Sequence, residues 1–221
     1  MWPEAEALFA AHRATLAASG LPLAARLEPV DGMLSAYTNG RVLLALPDPA
    51  TEAGRLQALL LAGLLGVERA RVTWLFRALL PRLVAHELGH ALRAEAGLLG
   101  ADVREEERVA ERLAELLSRP LIAAGDRRRA RDLLGGVVER FDGVAAAASL
   151  HRRAPEARVA LGLSASAADT ARARDHLQSH YHRDLTAYLR TSVVWAWIDL
   201  SLDCSEDSLD AFQRDHLALA H

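Results

Sequence analysis

The sequence predicts a mainly α-helical protein of the α+β class, with a small antiparallel sheet of three strands near its N-terminus. Apolar residues recur at helical spacing over most of the chain, whereas strand signals around an Asn-Gly pair are confined to residues 23–46. The 221 residues, 51% of them hydrophobic, are enough to bury a sizeable core. We predict a core over residues 1–120 and a C-terminal helical lobe over residues 121–221 that completes a cleft, within one compact unit.

A helix and the sheet make up the first part of the predicted core. Residues 3–19 have helical spacing, and this helix stops at Gly20. Three strands follow, over residues 23–30, 33–38 and 41–46. Asp31-Gly32 and Asn39-Gly40 join them as turns, and Asn-Gly is the strongest short hairpin signal in a sequence. We therefore predict an antiparallel meander.

Two further helices precede the most informative part of the chain. Asp48 is the predicted cap of the first, which has Pro49 at its first position and ends near Leu65. The second covers residues 68–80. Because Pro81 cannot continue that helix without a kink, the next helix starts or bends there.

The segment LVAHELGHALRAE, residues 83–95, carries the chemistry. Its apolar residues recur every four positions and predict a helix face that packs inward: Val84, Leu88 and Leu92. His86 and His90 have the same spacing, so both imidazoles leave the helix on a second, shared face. There they can bind one zinc ion at about 2.0–2.1 Å each.

Glu87 directly follows the first histidine of this HExxH motif, which places its carboxylate beside the metal and not on it. In that position it can deprotonate a water molecule that the metal activates. Gly89 has no side chain and leaves room for a substrate or a neighbouring backbone. The alternative interpretation is an exposed amphipathic helix that carries two histidines without a metal.

A third zinc ligand is expected on the helix that follows. Gly97 is a natural C-cap of the first helix. Asp102 with Glu105 predicts a capping box that opens a second helix, which ends near Ser118. Two helices joined by so short a turn should lie antiparallel.

The antiparallel arrangement selects a ligand by its distance from the turn. At a rise of about 1.5 Å per residue, His90 and Glu107 are about 10 and 8 Å from it, so their side chains are nearly level. Glu107 is therefore the predicted third ligand. Glu111, one turn further, comes level with His86 or Glu87 and can hydrogen-bond a ligand imidazole. Three other glutamates compete for these roles: Glu105, Glu106 and Glu115.

With both helices in view, the sequence resembles a known group of enzymes. HELGH followed by ERVAERLA (residues 107–114) is similar to the gluzincin metallopeptidases, whose second motif reads E-x-x-A-[DE]-x-x-A in the HtpX and CAAX-prenyl-protease branch. The resemblance implies zinc binding by three residues, His86, His90 and Glu107. It also implies that Glu87 is the general base and that Glu111 stands where the family usually has Asp. The AELL of residues 114–117 also resembles the ELLMP ending of ImmA/IrrE-type peptidases.

The same resemblance extends to substrate binding and to the oxyanion. In gluzincins a strand edge above the zinc binds the substrate main chain, commonly with an Asn-Ala-aromatic motif. Ser35-Ala36-Tyr37 resembles that motif with Ser in place of Asn, and the alternative is an ordinary edge hairpin. The segment from Ser149 to Val159 resembles the family's T-H-P-x-x-x-x-R-[IV], with the proline displaced and the spacing one residue longer. His151 would then donate to the oxyanion, and Arg158 would orient either the oxyanion or a substrate carboxylate.

A second histidine group competes with His151 for this role, and its members are His176, His180, Tyr181 and His182. His176 and His180 share a helical face, which would suit a second metal site, but no acidic partner lies at a clear spacing. Exposed histidines without a role are the alternative for both groups.

Charge and hydropathy argue against two classes of partner. The formal net charge of −3 gives no reason to expect nucleic acid. The longest apolar run, residues 58–67, is far shorter than the roughly 20 residues of a membrane span. Glu4 and Glu6 stand where a signal peptide would be basic. Cys204 has no second cysteine with which to form a disulfide. We expect a cytoplasmic protein without a membrane span.

Together these features predict a zinc-dependent endopeptidase. It would hydrolyse bonds in a peptide or protein substrate by metal-activated water, with Glu87 as general base. The alternative is a regulatory or non-catalytic zinc-binding protein, either an ImmA/IrrE-like regulator or a structural zinc site. A structural site has no use for Glu87, so its presence favours catalysis.

Overall fold

The computed structural model describes residues 2–30, 35–99 and 103–139, together with 192–193, 196–197, 200–201 and 208–217. Over these residues the protein is mainly helical with one small sheet, which confirms the predicted α+β class. The chain divides into two compact units. The first contains Met1–Ala123 and Ser205–His221, and the second contains Ala124–Cys204.

The first unit opens with helix α1 (Pro3–Ala18) and continues into a three-stranded sheet. The strands are β1 (Arg26–Pro29), β2 (Ala36–Thr38) and β3 (Arg41–Leu44). β2 and β3 pair antiparallel through the predicted Asn-Gly turn. Asn39 and Gly40 both have positive φ, 48° and 74°, which matches the twist of a tight hairpin.

The pairing of β1 corrects the predicted antiparallel meander. β1 lies beside β3 and parallel to it, so the sheet is mixed, with the order β1-β3-β2. β3 takes the central position because it carries the most deeply buried side chains, Val42 and Leu44, at 0% and 2% exposure. The turn predicted at Asp31-Gly32 lies outside the described residues.

Helices α2 (Glu52–Leu65) and α3 (Arg69–Ala78) follow the sheet. The N-cap of α2 is Thr51, whose hydroxyl accepts a hydrogen bond from Gly54 N at 3.0 Å, and not Asp48 as predicted. The carboxylate of Asp48 accepts from Ala50 N at 3.0 Å instead. Pro49 lies within that turn and not in the helix, which begins at Glu52.

The next two helices are α4 (Leu80–Glu95) and α5 (Val103–Ser118), and a short 3-10 turn, Arg119–Leu121, ends the second. α4 starts afresh with Pro81 in its first turn, where a missing N–H costs nothing. Two ion pairs show that the helices are antiparallel, as predicted. Arg93 near the end of α4 meets Glu106 near the start of α5, whereas Arg82 meets Glu111.

α4 is the centre of the first unit. It packs against α1, α5, β2 and β3, and the predicted inward face is buried at Val84, Leu88 and Leu92. Helix α6 (Ala124–Val138) belongs to the second unit, and α7 (Leu209–His216) packs against α5 in the first. Among the described helices, none has both the length and the apolar character that crossing a bilayer requires.

Candidate metal centre

The three predicted ligands come together between α4 and α5. His86 and His90 lie one turn apart on α4, and their Nε2 atoms are 3.3 Å apart. Glu107 on α5 faces both rings, with Oε2 3.3 Å from His86 Nε2 and Oε1 3.5 Å from His90 Nε2. One ligand atom from each residue lies within 4.8 Å of the other two. In the described part of the chain, no other three His, Cys, Asp or Glu residues form such a group.

These separations fit a tetrahedral zinc ion. Two ligands that are each about 2.0–2.1 Å from zinc lie about 3.3–3.4 Å apart when the angle at the metal is tetrahedral. The two imidazole planes are at 82° to each other, with ring centroids 4.9 Å apart, so the nitrogens converge and the rings do not stack. Two imidazoles and one carboxylate are a donor set that catalytic zinc sites use, with the fourth position left for water.

Gly89 explains why the two helices approach closely enough for the three side chains to converge. A Cβ atom at Gly89 would lie 2.7 Å from Ala110 Cα, which is closer than a side chain tolerates. Ala110 occupies the turn of α5 between Glu107 and Glu111, so the glycine sits opposite the carboxylates that the centre needs. Of the two uses predicted for Gly89, the structure shows the second, room for a neighbouring backbone.

Glu111 contacts the first histidine on its other nitrogen. Its Oε1 is 3.3 Å from His86 Nδ1, and its Oε2 accepts a hydrogen bond from Arg82 Nη2. Burial by itself would lower the pKa of His86, but the charges of Glu111 and Glu107 raise that pKa well above its ordinary value. His86 therefore lies between two carboxylates, as the level placement of the glutamates predicts.

Glu107 has the opposite shift. Burial would raise the pKa of its carboxyl, yet the hydrogen bonds with His86 and His90 hold the pKa far below its ordinary value. The carboxylate is therefore ionised at neutral pH, which is the form that binds a metal.

Comparisons of this chain with protein-family models, with curated proteins and with solved structures found no match. The resemblance to gluzincins therefore rests on the HExxH helix, the glutamate helix and the distances between their side chains.

Glu87 lies on α4 next to the cluster and is only 6% exposed. Burial raises the pKa of its carboxyl, and the nearby His86 and His90 partly oppose that effect. Its Oε2 atom is buried without a hydrogen-bond partner among the described residues. Because a buried acceptor without a donor is costly, this oxygen is suited to a polar group that enters the site, such as water.

The glutamates that competed for these roles have other partners. Glu106 accepts two hydrogen bonds from Arg93, at 2.7 and 2.8 Å, and Glu115 Oε1 lies 2.8 Å from Arg119 Nε and 2.7 Å from its Nη2. Neither carboxylate is among the ligand atoms that converge. The side chain of Glu105 lies outside the part of the structure that is described.

Sequence reasoning missed Arg82. It lies four residues before His86 on the same helix, the spacing that places two side chains on one face, so a signal was present. Because an arginine on a helix is usually solvated, the spacing alone does not show that Arg82 turns inward to Glu111.

The predicted substrate strand uses its hydroxyl groups within the sheet. Ser35 Oγ accepts from Ala45 N at 3.1 Å, and the Tyr37 hydroxyl accepts from Gly40 N at 3.2 Å. These contacts stabilise the hairpin. β2 is nevertheless an edge strand of the described sheet and packs against α4, so its backbone edge is the part that suits a peptide.

The predicted oxyanion donor and its rival group are not among the described residues. This applies to His151, Arg158, His176, His180, Tyr181 and His182. Their roles stay predictions.

Proposed function

We propose that this protein is a zinc-dependent endopeptidase in which His86, His90 and Glu107 bind the metal and Glu87 is the general base. One observation carries the proposal. Two imidazole nitrogens and a carboxylate converge at 3.3–3.5 Å beside a buried glutamate oxygen that lacks a hydrogen-bond partner among the described residues. The convergence fits a zinc site with three protein ligands, and the glutamate fits a base that acts on water.

The formal charges support a divalent cation. Three carboxylates surround the centre, those of Glu87, Glu107 and Glu111, and one guanidinium, that of Arg82, pairs with Glu111. Counting only the described residues, and with both imidazoles neutral as metal binding requires, three negative charges and one positive charge leave an excess of two negative charges. A buried excess of this size is costly unless a cation compensates it, and a doubly charged ion compensates it fully.

When bound, zinc would supply a Lewis acid that polarises the scissile carbonyl and lowers the pKa of a water molecule. The protein's own residues would complete the reaction. Glu87 would take the proton from the water, and its raised pKa would help it to keep that proton and return it to the leaving amine. Glu111, on Nδ1 of His86, would leave Nε2 as the nitrogen that faces the metal.

The substrate side of the proposal is an extended peptide. The side chains of His86 and His90 are 14% and 15% exposed, so each imidazole keeps some contact with solvent. β2 offers a backbone edge next to α4, where a peptide can pair by β-strand addition. Cytoplasmic location and the lack of a nucleic-acid partner stay predictions from the sequence.

The test is cleavage of a peptide library by Glu87→Gln, with the products read by mass spectrometry. The amide cannot accept a proton, so we expect turnover to fall by about 10²–10⁴-fold while zinc is retained. Glu95→Gln is the matched control, since Glu95 lies at the end of the same helix and accepts hydrogen bonds from Ala24 N and Ala25 N, each at 3.0 Å. This control should cleave like the wild type. Wild-type turnover in zinc-loaded Glu87→Gln would contradict the proposed mechanism.

A further inference from the structure

We propose that Arg82 is a positioning residue of the metal centre, which holds Glu111 against His86 so that His86 presents Nε2 to Glu107. This inference rests on the proposed function, because it concerns the same centre. It adds a residue that the HExxH and glutamate motifs do not contain.

Three groups form a chain from the arginine to the ligand. Arg82 lies one helical turn before His86, and its side chain is only 6% exposed. Its Nη2 donates to Oε2 of Glu111, and the other oxygen of that carboxylate, Oε1, is 3.3 Å from His86 Nδ1. One carboxylate thus connects a buried guanidinium to a ligand imidazole.

This chain decides which imidazole nitrogen is available. A histidine that donates its Nδ1 hydrogen to a carboxylate keeps the Nε2 lone pair for a metal. Glu111 performs that role only while its carboxylate stays charged and turned toward Nδ1. Arg82 provides the compensating charge in the interior and fixes one of the two oxygens, so the other oxygen points to the ring.

A second buried pair between the same helices shows what a purely structural role looks like. Arg93 donates to both oxygens of Glu106, at 2.7 and 2.8 Å, and also to the carbonyls of Leu98 and His216, at 2.8 and 2.9 Å. Those partners connect α4 with α5, with the turn that follows α4 and with α7. Arg93 is therefore a matched control for the loss of a buried arginine at this interface.

The experiment measures metal affinity and metal geometry separately from hydrolysis. Full-length Arg82→Met and Arg93→Met would be compared with the wild type in zinc titrations against a chromophoric chelator, and in visible absorption spectra with cobalt(II). Arg82→Met should bind zinc about 10–100-fold more weakly, the usual loss for a group behind a ligand histidine, and should change the cobalt spectrum. Arg93→Met should lower the melting temperature and leave the zinc affinity and the cobalt spectrum unchanged.

A double-mutant cycle tests whether Arg82 acts through Glu111. Arg82→Met in a Glu111→Gln background should cause little further loss of zinc affinity, because the two residues act as one unit. If Arg82→Met does not fold, the milder substitutions Arg82→Lys and Arg93→Lys are compared in its place. Arg82→Lys keeps the charge but loses the planar fork, so it should weaken zinc binding by several-fold, while Arg93→Lys should not.

The outcomes separate the inference from the function on which it rests. The inference is overturned if Arg82→Met, or Arg82→Lys where only that variant folds, has wild-type zinc affinity and an unchanged cobalt spectrum. Arg82 and Glu111 would then form an ion pair that only holds the two helices together. A wild-type protein that binds neither zinc nor cobalt would overturn the proposed function and this inference together.

Discussion

One histidine that packs against α4 and one that lies on it have opposite electrostatic surroundings. His12, on α1, is 1% exposed, and its Nε2 is 2.9 Å from the carbonyl oxygen of Pro81 at the start of α4. Burial lowers its pKa, and the hydrogen bond with Pro81 only partly offsets that effect. His86 lies further along the same helix between Glu107 and Glu111, which raise its pKa well above the ordinary value in spite of burial.

The difference shows that burial alone does not make a histidine a ligand. His12 is held neutral, so it serves as a hydrogen-bonding member of the core. His86 is surrounded by carboxylates that favour a positive charge, and a proton or a metal ion can supply that charge. Neighbouring carboxylates on a second helix therefore distinguish the candidate ligand His86 from the core histidine His12.

Removing each imidazole ring in turn should give the largest difference between His86 and His12. His86→Ala deletes a ligand, so zinc affinity should fall by more than about 100-fold, beyond the usual loss for residues behind a ligand. His12→Ala should keep the zinc affinity and lower the free energy of unfolding by about 1–3 kcal/mol, because it removes a buried ring together with its hydrogen bond to Pro81 O. Chelator competition and urea unfolding measure the two effects. Equal loss of zinc in both variants would remove the distinction.

A change at the contact between α4 and α5 should affect the surroundings of His86 and leave those of His12 unchanged. Gly89→Ala places a Cβ 2.7 Å from Ala110 Cα, so α5 must move away and carry Glu107 with it. We expect a loss of about 1–3 kcal/mol in unfolding free energy together with weaker zinc binding.

Gly63→Ala is the control for this change. A Cβ there meets nothing within 4 Å, and the position lies on an exposed part of α2. That substitution should stabilise the protein by about 0.5–1 kcal/mol, since alanine favours a helix interior over glycine. Zinc affinity that is equal in Gly89→Ala and the wild type would show that the ligands do not depend on this close approach.

The smallest expected effect is the pH dependence of the metal-free protein. The raised pKa of His86 stabilises the fold fully below its ordinary value of 6.5, and this contribution is lost as pH rises through the folded pKa. The lowered pKa of His12 has the opposite sign, because its contribution is present above 6.5 and is lost as pH falls.

Urea unfolding across this pH range, in the presence of a chelator, tests both signs. His86→Ala should flatten the decrease in stability above pH 6.5, and His12→Ala should flatten the decrease below it. Zinc affinity should increase with pH, because zinc must displace the proton on His86. A zinc affinity that falls with rising pH would contradict the proposed surroundings of His86.

The convergence of His86, His90 and Glu107 was largely predictable because its signals are local. The histidine spacing fixes a shared face on one helix, and a short turn fixes the register of the next, so Glu107 and Glu111 were placed by counting residues from the turn. Arg82 and Arg93 were not predicted to be buried. An arginine on a helix is usually solvated, and only the partner helix shows which ones face inward.

The sheet shows a feature that local sequence signals do not predict, the pairing of strands that are not joined by a tight turn. The Asn39-Gly40 turn predicted the β2–β3 hairpin because its geometry is encoded in two adjacent residues. No such signal specifies which edge of the hairpin receives β1, and the burial of β3 decided that pairing. The predicted N-cap of α2 was wrong for a similar reason. Asp48 and Thr51 are both good caps, and only the turn at Pro49 selects between them.

The zinc-to-protein ratio of the purified chain tests the central claim most directly. The account predicts about one zinc per chain in the wild type and a clear loss in Glu107→Ala, because that carboxylate faces both histidines at 3.3 and 3.5 Å. Glu106→Ala, one residue away but paired with Arg93, should keep its zinc. A wild type without zinc, or Glu107→Ala with its full complement, would contradict the account.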